Sequence, residues 1–485
     1  MALCMGCALV FAWLQAGWAQ SVPRYEVTQQ SGETPIATAD YSHFPRLAWG
    51  QSGRLGVLYY RGYNHGSGND GGISTAQQSK VTGRLQLAIN GVYAVGGHAE
   101  LPASTQVMIS AEKDESARTF VVVGEDQNGR RIEEAVLGPA SKRTYSKQRY
   151  KRVTDIVIDG PTAGRVTIGP RVVPSNMEFR YSDDEGKSWS GAITLADGIR
   201  EGDAFNYVGA LAGLSNGTFI AIFVRINTAD GRTESVQRIS TDNGVTWSSA
   251  VPIRYTGASP TTTFRVWGQI QVTPSGHLVA MAYAGQDNWC LVSIDYGHTW
   301  QAHLIIRTPP ETDYNEMAVA IISDTDWIAV ARGATRREGG SSMRQFVTRD
   351  SGLTWKDLGS TNAEWSGGYV SPAMQTVRCG KEFMVVWAYM ARGSRSTPPP
   401  TPNSLIVRYA AADAALSSAR VWSPQQIVGQ LGSFTHRSGY PSIALANDCS
   451  RGVMVAGRET SETTAVIVAM KWILQPAIRP RTDSR

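Results

Sequence analysis

The sequence predicts an all-β chain: a six-bladed β-propeller with a β-sandwich inserted in its first blade. Three observations carry this. A turn motif recurs four times at nearly constant spacing, short apolar runs precede its copies, and one foreign stretch separates the first blade's opening hairpin from its motif. Repetition at such a period is the mark of an architecture built from stacked supersecondary units.

The motif reads Ser/Thr-x-Asp-x-Gly-x-Thr/Ser-Trp. It appears at Ser182-Asp184-Gly186-Trp189, Ser240-Asp242-Gly244-Trp247, Ser293-Asp295-Gly297-Trp300 and Thr348-Asp350-Gly352-Trp355. From Asp184 the steps to Asp242, Asp295 and Asp350 are 58, 53 and 55 residues. A fifth, decayed copy is expected near Asp413 and Trp422. The Asp can hydrogen-bond amides across a tight turn. The Gly can take a positive φ, and the Trp can pack beneath the turn. These are structural duties, so the motif residues are not assigned catalysis. Apolar strands such as Phe219–Val224 and Leu278–Tyr283 lead into the motifs.

Cutting the chain by the motif gives six units of about four short strands. They run near 43–72 with 174–192, then 205–250, 265–302, 314–357, 370–425 and 437–473. The segment Tyr25–Thr28 is expected to pair with the last blade and close the ring, removing exposed sheet edges. The expected organisation is an N-terminal segment 1–22, the first part of blade one 23–73, the insert 74–172, the rest of the propeller 173–476 and a tail 477–485. The insert has its own strands at Leu85–Ile89, Phe120–Val123, Ile156–Ile158 and Val166–Ile168, parted by Asn90-Gly91 and Asn128-Gly129 turns.

Composition agrees with an all-β reading. The 485 residues include 49 Gly and 14 Trp, as Gly-rich turns and regularly placed aromatics require. The net charge of +5 is spread without a basic run, which argues against a nucleic-acid binder. Residues 1–20 are apolar, with small Gly17 and Ala19 before a candidate cleavage point, but carry no Lys or Arg. They read as a secretory signal or as a docking segment. No other stretch is long and apolar enough to span a membrane. Cys4 and Cys7 lie in that segment. Cys290, Cys379 and Cys449 are widely separated and read as buried small apolar residues rather than a disulfide framework or a metal site.

The repeats resemble the Asp-boxes (BNR repeats) of the sialidase, or neuraminidase, superfamily over about 40–72 and 174–473. That resemblance implies a glycoside hydrolase that releases a terminal sialic acid or related acidic nonulosonic sugar with retention. A carboxylate nucleophile would be repelled by such a substrate, so a Tyr activated by a Glu takes its place. The implied nucleophile is Tyr440, in Gly439-Tyr440-Pro441-Ser442, and the implied base is Glu316, in Asn315-Glu316-Met317. Arg332 is implied as the second Arg of a substrate-carboxylate clamp, 16 residues after Glu316. Arg46 is implied as the first, although Phe44-Pro45-Arg46-Leu47 places Pro before Arg where the family usually places it after. The third is Arg392 or Arg395. Glu459 would steady Arg46, and Asp70, in a Gly-rich loop, would be the mobile acid, with Asn176 as an alternative occupant of that place. Trp267, Trp365 and Tyr369 are candidates for stacking on sugar or for blade packing, and His65 reads as a loop residue.

The resemblance implies no cofactor and no metal. Its implied partners are sialylated or acidic-sugar glycans, and its implied location is extracellular. The insert, through Ala88–Gly91, Phe120–Gly129 and Ile158–Gly164, resembles a module of bacteriophage virion proteins. This opens a second setting, a virion-associated glycan-binding or structural propeller with phage virion proteins as partners.

Overall fold

The computed structural model describes residues 25–30, 32–38, 41–62, 70–198, 200, 204–227, 232–285, 287–307, 312–335, 341–361, 369–391, 403–431, 438–460 and 464–476. The fold is all-β and propeller-like. One short helix, Ala412–Ala415, and one 3-10 turn, Gln51–Gly53, are the helical elements among these residues.

Successive strands pair antiparallel in meanders, as short strands joined by tight turns must. The first meander contains Tyr41–Trp49, Leu55–Gly62, Asn176–Ser182 and Ile193–Ala196. The next four begin at the strands Ala204–Gly213, Arg265–Val272, Thr312–Ile321 and Tyr369–Cys379. The last contains Gly439–Leu445, Gly452–Glu459 and Ala465–Pro476, with Tyr25–Gln29 and Thr34–Ala37 added on its outer edge. Tyr25 pairs with Pro476 and Gln29 with Trp472, so the chain's start joins its end in one sheet.

The first strand of each meander is the inner one. These six strands touch in cyclic order, each against the next and the last against the first. They splay where they meet, so their backbone groups need side-chain partners. Gln side chains supply them: Gln269 Nε2 donates to Leu47 O at 2.8 Å, Gln271 Nε2 to Met374 O at 3.1 Å and Gln375 Nε2 to Leu445 O at 2.9 Å.

The four turn motifs act as their chemistry requires. In the first, Ser182 Oγ donates to Asp184 Oδ1 and accepts from Gly186 N, while Asp184 Oδ1 accepts from Ser188 N at 2.8 Å. Gly186, Gly244, Gly297 and Gly352 take φ between 82° and 88°. The residue before each is also left-handed: Glu185, Asn243, Tyr296 and Ser351. The expected fifth motif is absent. Asp413 lies on the Ala412–Ala415 helix, and Trp422 is buried with its Nε1 donating to Gln345 Oε1 at 2.8 Å.

Residues 74–170 form a separate eight-stranded sheet with its own core, including Leu101, Ile109, Phe120, Val122, Tyr150 and Ile156. Two packed sheets were expected; the strands instead form one hydrogen-bonded sheet. The cause is the 16-residue strand Arg143–Ile158. Its first part pairs with His98–Ala111 and its last part with Thr119–Glu125, with register shifts between. Such bulges bend a strand, so one strand serves both walls.

The cysteine expectation is overturned in part. Cys379 and Cys449 form a disulfide, with Cα atoms 5.3 Å apart. They were read as unpaired because 70 residues separate them; the two hairpin ends that carry them meet only when the fifth and sixth meanders pack. Cys290 is free and buried, as expected.

Candidate functional site

Each inner strand breaks register with its neighbour near its N-terminal end. The breaks fall between His43 and Arg46, Tyr207 and Gly209, Trp267 and Gln271, Asn315 and Met317, Val370 and Ala373, and Gly439 and Ser442. Five of them hold a residue at positive φ: Phe44 (54°), Gly268 (85°), Glu316 (36°), Ser371 (42°) and Tyr440 (55°). Four are not Gly, and such backbone is strained for a residue with a Cβ. Strain of this kind persists only where the surroundings over-determine it, and it clusters at functional sites. The bulges re-aim one side chain per strand.

Two of these re-aimed residues are the implied base and nucleophile. Glu316 is buried, and its Oε2 accepts from Arg332 Nη1 at 2.9 Å and from Ser371 N at 2.9 Å. Tyr440 lies near enough to Arg332 to favour its charge. Burial opposes the charge on Arg332, but Glu316 and then Tyr440 outweigh it and hold the guanidinium firmly protonated. Tyr440 is 4% exposed and packed edge-on against Phe44, His43 and Trp267, with ring centroids 4.6, 5.3 and 5.9 Å away. Tyr207 and Tyr283 complete the surround; burial raises both phenols above their ordinary range, so they remain neutral hydroxyls.

Arg46 reaches the same cluster from a different position. Phe44, not Arg46, takes the bulge position that Tyr440 takes in the last meander, and Arg46 lies two residues farther along. Its Nε donates to Gly209 O at 3.0 Å and its Nη1 to Pro45 O at 2.9 Å. Its guanidinium lies 4.5 Å from the Trp267 ring centroid, and the residue is 1% exposed. Burial pulls its pKa down to about 10, against the opposing pull of Glu316 and Tyr440. Arg46 is thus a buried charge beside the cluster rather than a presented fork.

The structure does not bring two other implied residues into the cluster. Glu459 does not steady Arg46. It is fully buried, and its carboxylate accepts a hydrogen bond from Tyr41 Oη, while Arg46 Nε and Nη1 are turned to backbone carbonyls and its Nη2 is buried without a partner among the described residues. Asp70 is half-exposed and paired with Arg143 of the insert at 2.7 Å, not with Tyr440, Glu316 or either guanidinium. The insert begins a few residues beyond Asp70 and captures it. Asn176 is taken up in a turn, accepting from Gly198 N at 3.0 Å. Arg392, Arg395, His65, Trp365 and the side chain of Tyr369 lie outside the described residues. No group of three or more His, Cys, Asp or Glu suited to a metal occurs among the described residues.

Phe44, Ser371, Tyr207 and Tyr283 were missed as neighbours of the cluster. A signal for two of them was present: Phe44-Pro45, Ser371-Pro372 and Tyr440-Pro441 repeat one X-Pro step at one register of three inner strands.

Residues 175–367 match the family model of the BNR repeat-like domain. Among solved structures, a protein of unknown function from Dyadobacter fermentans is similar at 14% identity and a TM-score of 0.50, covering 92% of this chain and 99% of that one. The NanB sialidase of Streptococcus pneumoniae is similar at 9% identity and a TM-score of 0.47, covering 82% and 99%. A leech intramolecular trans-sialidase follows at 10% and 0.45, covering 84% and 98%. An α-L-arabinanase of Penicillium chrysogenum reaches 15% and 0.41, covering 76% and 98%. No curated protein sequence matches the chain.

Proposed function

We propose that this chain is a six-bladed propeller glycoside hydrolase that releases an acidic sugar, of the sialic acid class, with retention. The observation that supports it most is the buried Glu316–Arg332 ion pair at 2.9 Å, with Tyr440 beside it. Glu316 would take the Tyr440 proton as Tyr440 Oη bonds to the anomeric carbon and the glycosidic C–O bond breaks, the leaving oxygen taking up a proton from solvent. Water would then attack the anomeric carbon, the bond to Tyr440 Oη would break, the water would lose a proton to solvent, and Glu316 would return its proton to Tyr440. Arg332 would hold the substrate carboxylate, and the buried charge of Arg46 would favour an anion by its field rather than by contact. The proposed location is extracytoplasmic: a disulfide persists in oxidising surroundings. No helix among the described residues is long and apolar enough to cross a membrane.

A second reading, glycan binding without turnover, is favoured by the position of Asp70. Bonded to Arg143, it cannot protonate a leaving oxygen at Tyr440 without moving. Turnover of a fluorogenic sialoside, backed by a panel of other acidic sugars, separates the two. Tyr440→Phe is expected to abolish release while leaving the melting temperature within a few degrees. Glu316→Gln is expected to lower kcat by about 10²- to 10⁴-fold, the range of a general base. Full activity in Tyr440→Phe ends the mechanism; binding of sialosides without release selects the second reading.

A further inference from the structure

The opposite ends of the same inner strands carry a groove of contrasting chemistry. A cavity of about 640 Å³ lies where these strands end, lined by residues such as Trp49, Gln269, Gln375 and Asn447. A second, of about 850 Å³, lies between the turn motifs of the second and third meanders, lined by residues such as Trp247, Gln237 and His298. Both are lined by Asn216 and Tyr296, so they adjoin across these two side chains.

We propose that this groove is a second glycan-binding site and takes an uncharged oligosaccharide chain. The lining excludes a charged ligand. No Asp, Glu, Lys or Arg lines either cavity, in a chain whose charged fraction is 18%. The Tyr440 end of the strands, by contrast, holds Arg46, Arg332 and Glu316. Besides apolar side chains and the His298 imidazole, what lines the groove is amide, hydroxyl, indole and phenol, donors and acceptors that match sugar hydroxyls.

Tyr296 is the second, independent pointer. It occupies the left-handed position before the motif Gly, at φ 57° and 60% exposed. Glu185, Asn243 and Ser351 hold that position in the other three motifs. The turn itself therefore has no need of an aromatic, and a bulky residue is the least suited to such backbone. Asp295 fixes the turn by accepting from Thr299 N at 2.9 Å, so the ring is presented on a rigid support. A rigid, exposed aromatic face where two cavities meet suits stacking on the C–H face of a sugar ring at small entropic cost.

The test uses the full chain and titration calorimetry with neutral hexasaccharides of glucose, galactose, xylose and N-acetylglucosamine, against a hexagalacturonate of equal length. At least one neutral chain is expected to bind saturably with a Kd below about 1 mM. Tyr296→Ala should weaken it by about fivefold or more and Tyr296→Phe by less than about twofold, because the ring and not the hydroxyl does the stacking. The uronate should bind about fivefold more weakly or worse. No saturable neutral binding, an unchanged Kd in Tyr296→Ala, or equal affinity for the uronate each overturns the proposal. Sialoside release in Tyr296→Ala is expected to match the parent, so failure of this site and failure of the Tyr440 mechanism give different results.

Discussion

A buried guanidinium gains stability from each donor it fills; Arg46 fills two with the carbonyls of Gly209 and Pro45, while its Nη2 has no partner among the described residues. Removing it strands Gly209 O in the ring's interior and empties a space against Trp267. An unsatisfied buried polar group costs about 1–3 kcal/mol and the lost packing adds to it. Arg46→Ala is therefore expected to destabilise the protein by roughly 3 kcal/mol in urea unfolding. Arg332 works differently. It remains 19% exposed and pairs with Glu316 at 2.9 Å. Arg332→Ala should weaken an acidic-sugar analogue by about tenfold or more, which is roughly 1.4 kcal/mol. Arg332→Lys should rescue only part, since Lys lacks the planar fork. Equal stability loss from Arg46→Ala and Arg332→Lys, with equal effects on binding, would contradict the division of roles. The pairing of Glu316 with Arg332 was legible at the residue scale because both lie on one hairpin, 16 residues apart. The true partner of Glu459 was not, because Tyr41 meets it only where the first and last meanders join.

At the scale of the element, the turn motif was readable because every bond it makes is local. Ser182, Asp184, Gly186 and Ser188 satisfy one another within seven residues. The inner-strand bulges were not readable, since a one-residue register break depends on the facing strand. The motif also titrates. Bonds from the Ser188 hydroxyl and amide hold Asp184 down at about 2, and the same bonds from Thr246 hold Asp242 at about 2. A carboxylate depressed in the fold adds stability above its unfolded pKa, near 3.9, and loses it as pH falls through the folded value. The contribution of these turns is thus whole above about pH 4 and gone by about pH 2. Asp242→Asn should flatten the fall in urea midpoint across that window while leaving the slope above pH 5 unchanged. An identical acid profile in the mutant would remove Asp242 from the cause. The disulfide acts on the same scale of neighbouring hairpins, tying the fifth meander to the sixth across 70 residues. On chain entropy alone, closing that loop contributes roughly 4 kcal/mol. Reduction or Cys379→Ser should lower the melting temperature measurably; no change on full reduction would show the link carries no stability.

For the whole molecule, ring closure and the insert pull in different directions. The ring depends on contacts of the longest range: Tyr41 of the first meander pairs with Ala465 of the last, and Tyr25–Gln29 pairs with Ala465–Pro476. The insert's strands pair with one another, and its core residues, from Ile73 to Ile168, pack together as one cluster. The chain leaves the first meander after Leu55–Gly62 and returns at Asn176–Ser182, which pairs directly with Leu55–Gly62. The two sides of the insertion are therefore neighbours in the sheet, and a short link can span them. Among the described ties between insert and ring are the Asp70–Arg143 ion pair at 2.7 Å and the packing of Val172 in the ring's core. An exposed ion pair of this kind is worth about 0–1 kcal/mol. Replacing 74–172 by a short Gly/Ser link should thus leave a chain that melts cooperatively, within about 5 °C of the parent, as expected when lost contacts amount to about 1–2 kcal/mol. It should also free Asp70 from Arg143. If Asp70 is the acid of the reaction, release of sialosides should then rise rather than fall. A truncated chain that is unfolded under conditions where the parent is stable would show that the insert is built into the ring. A folded chain whose turnover does not rise, and which is indifferent to Asp70→Asn, would remove Asp70 from the reaction.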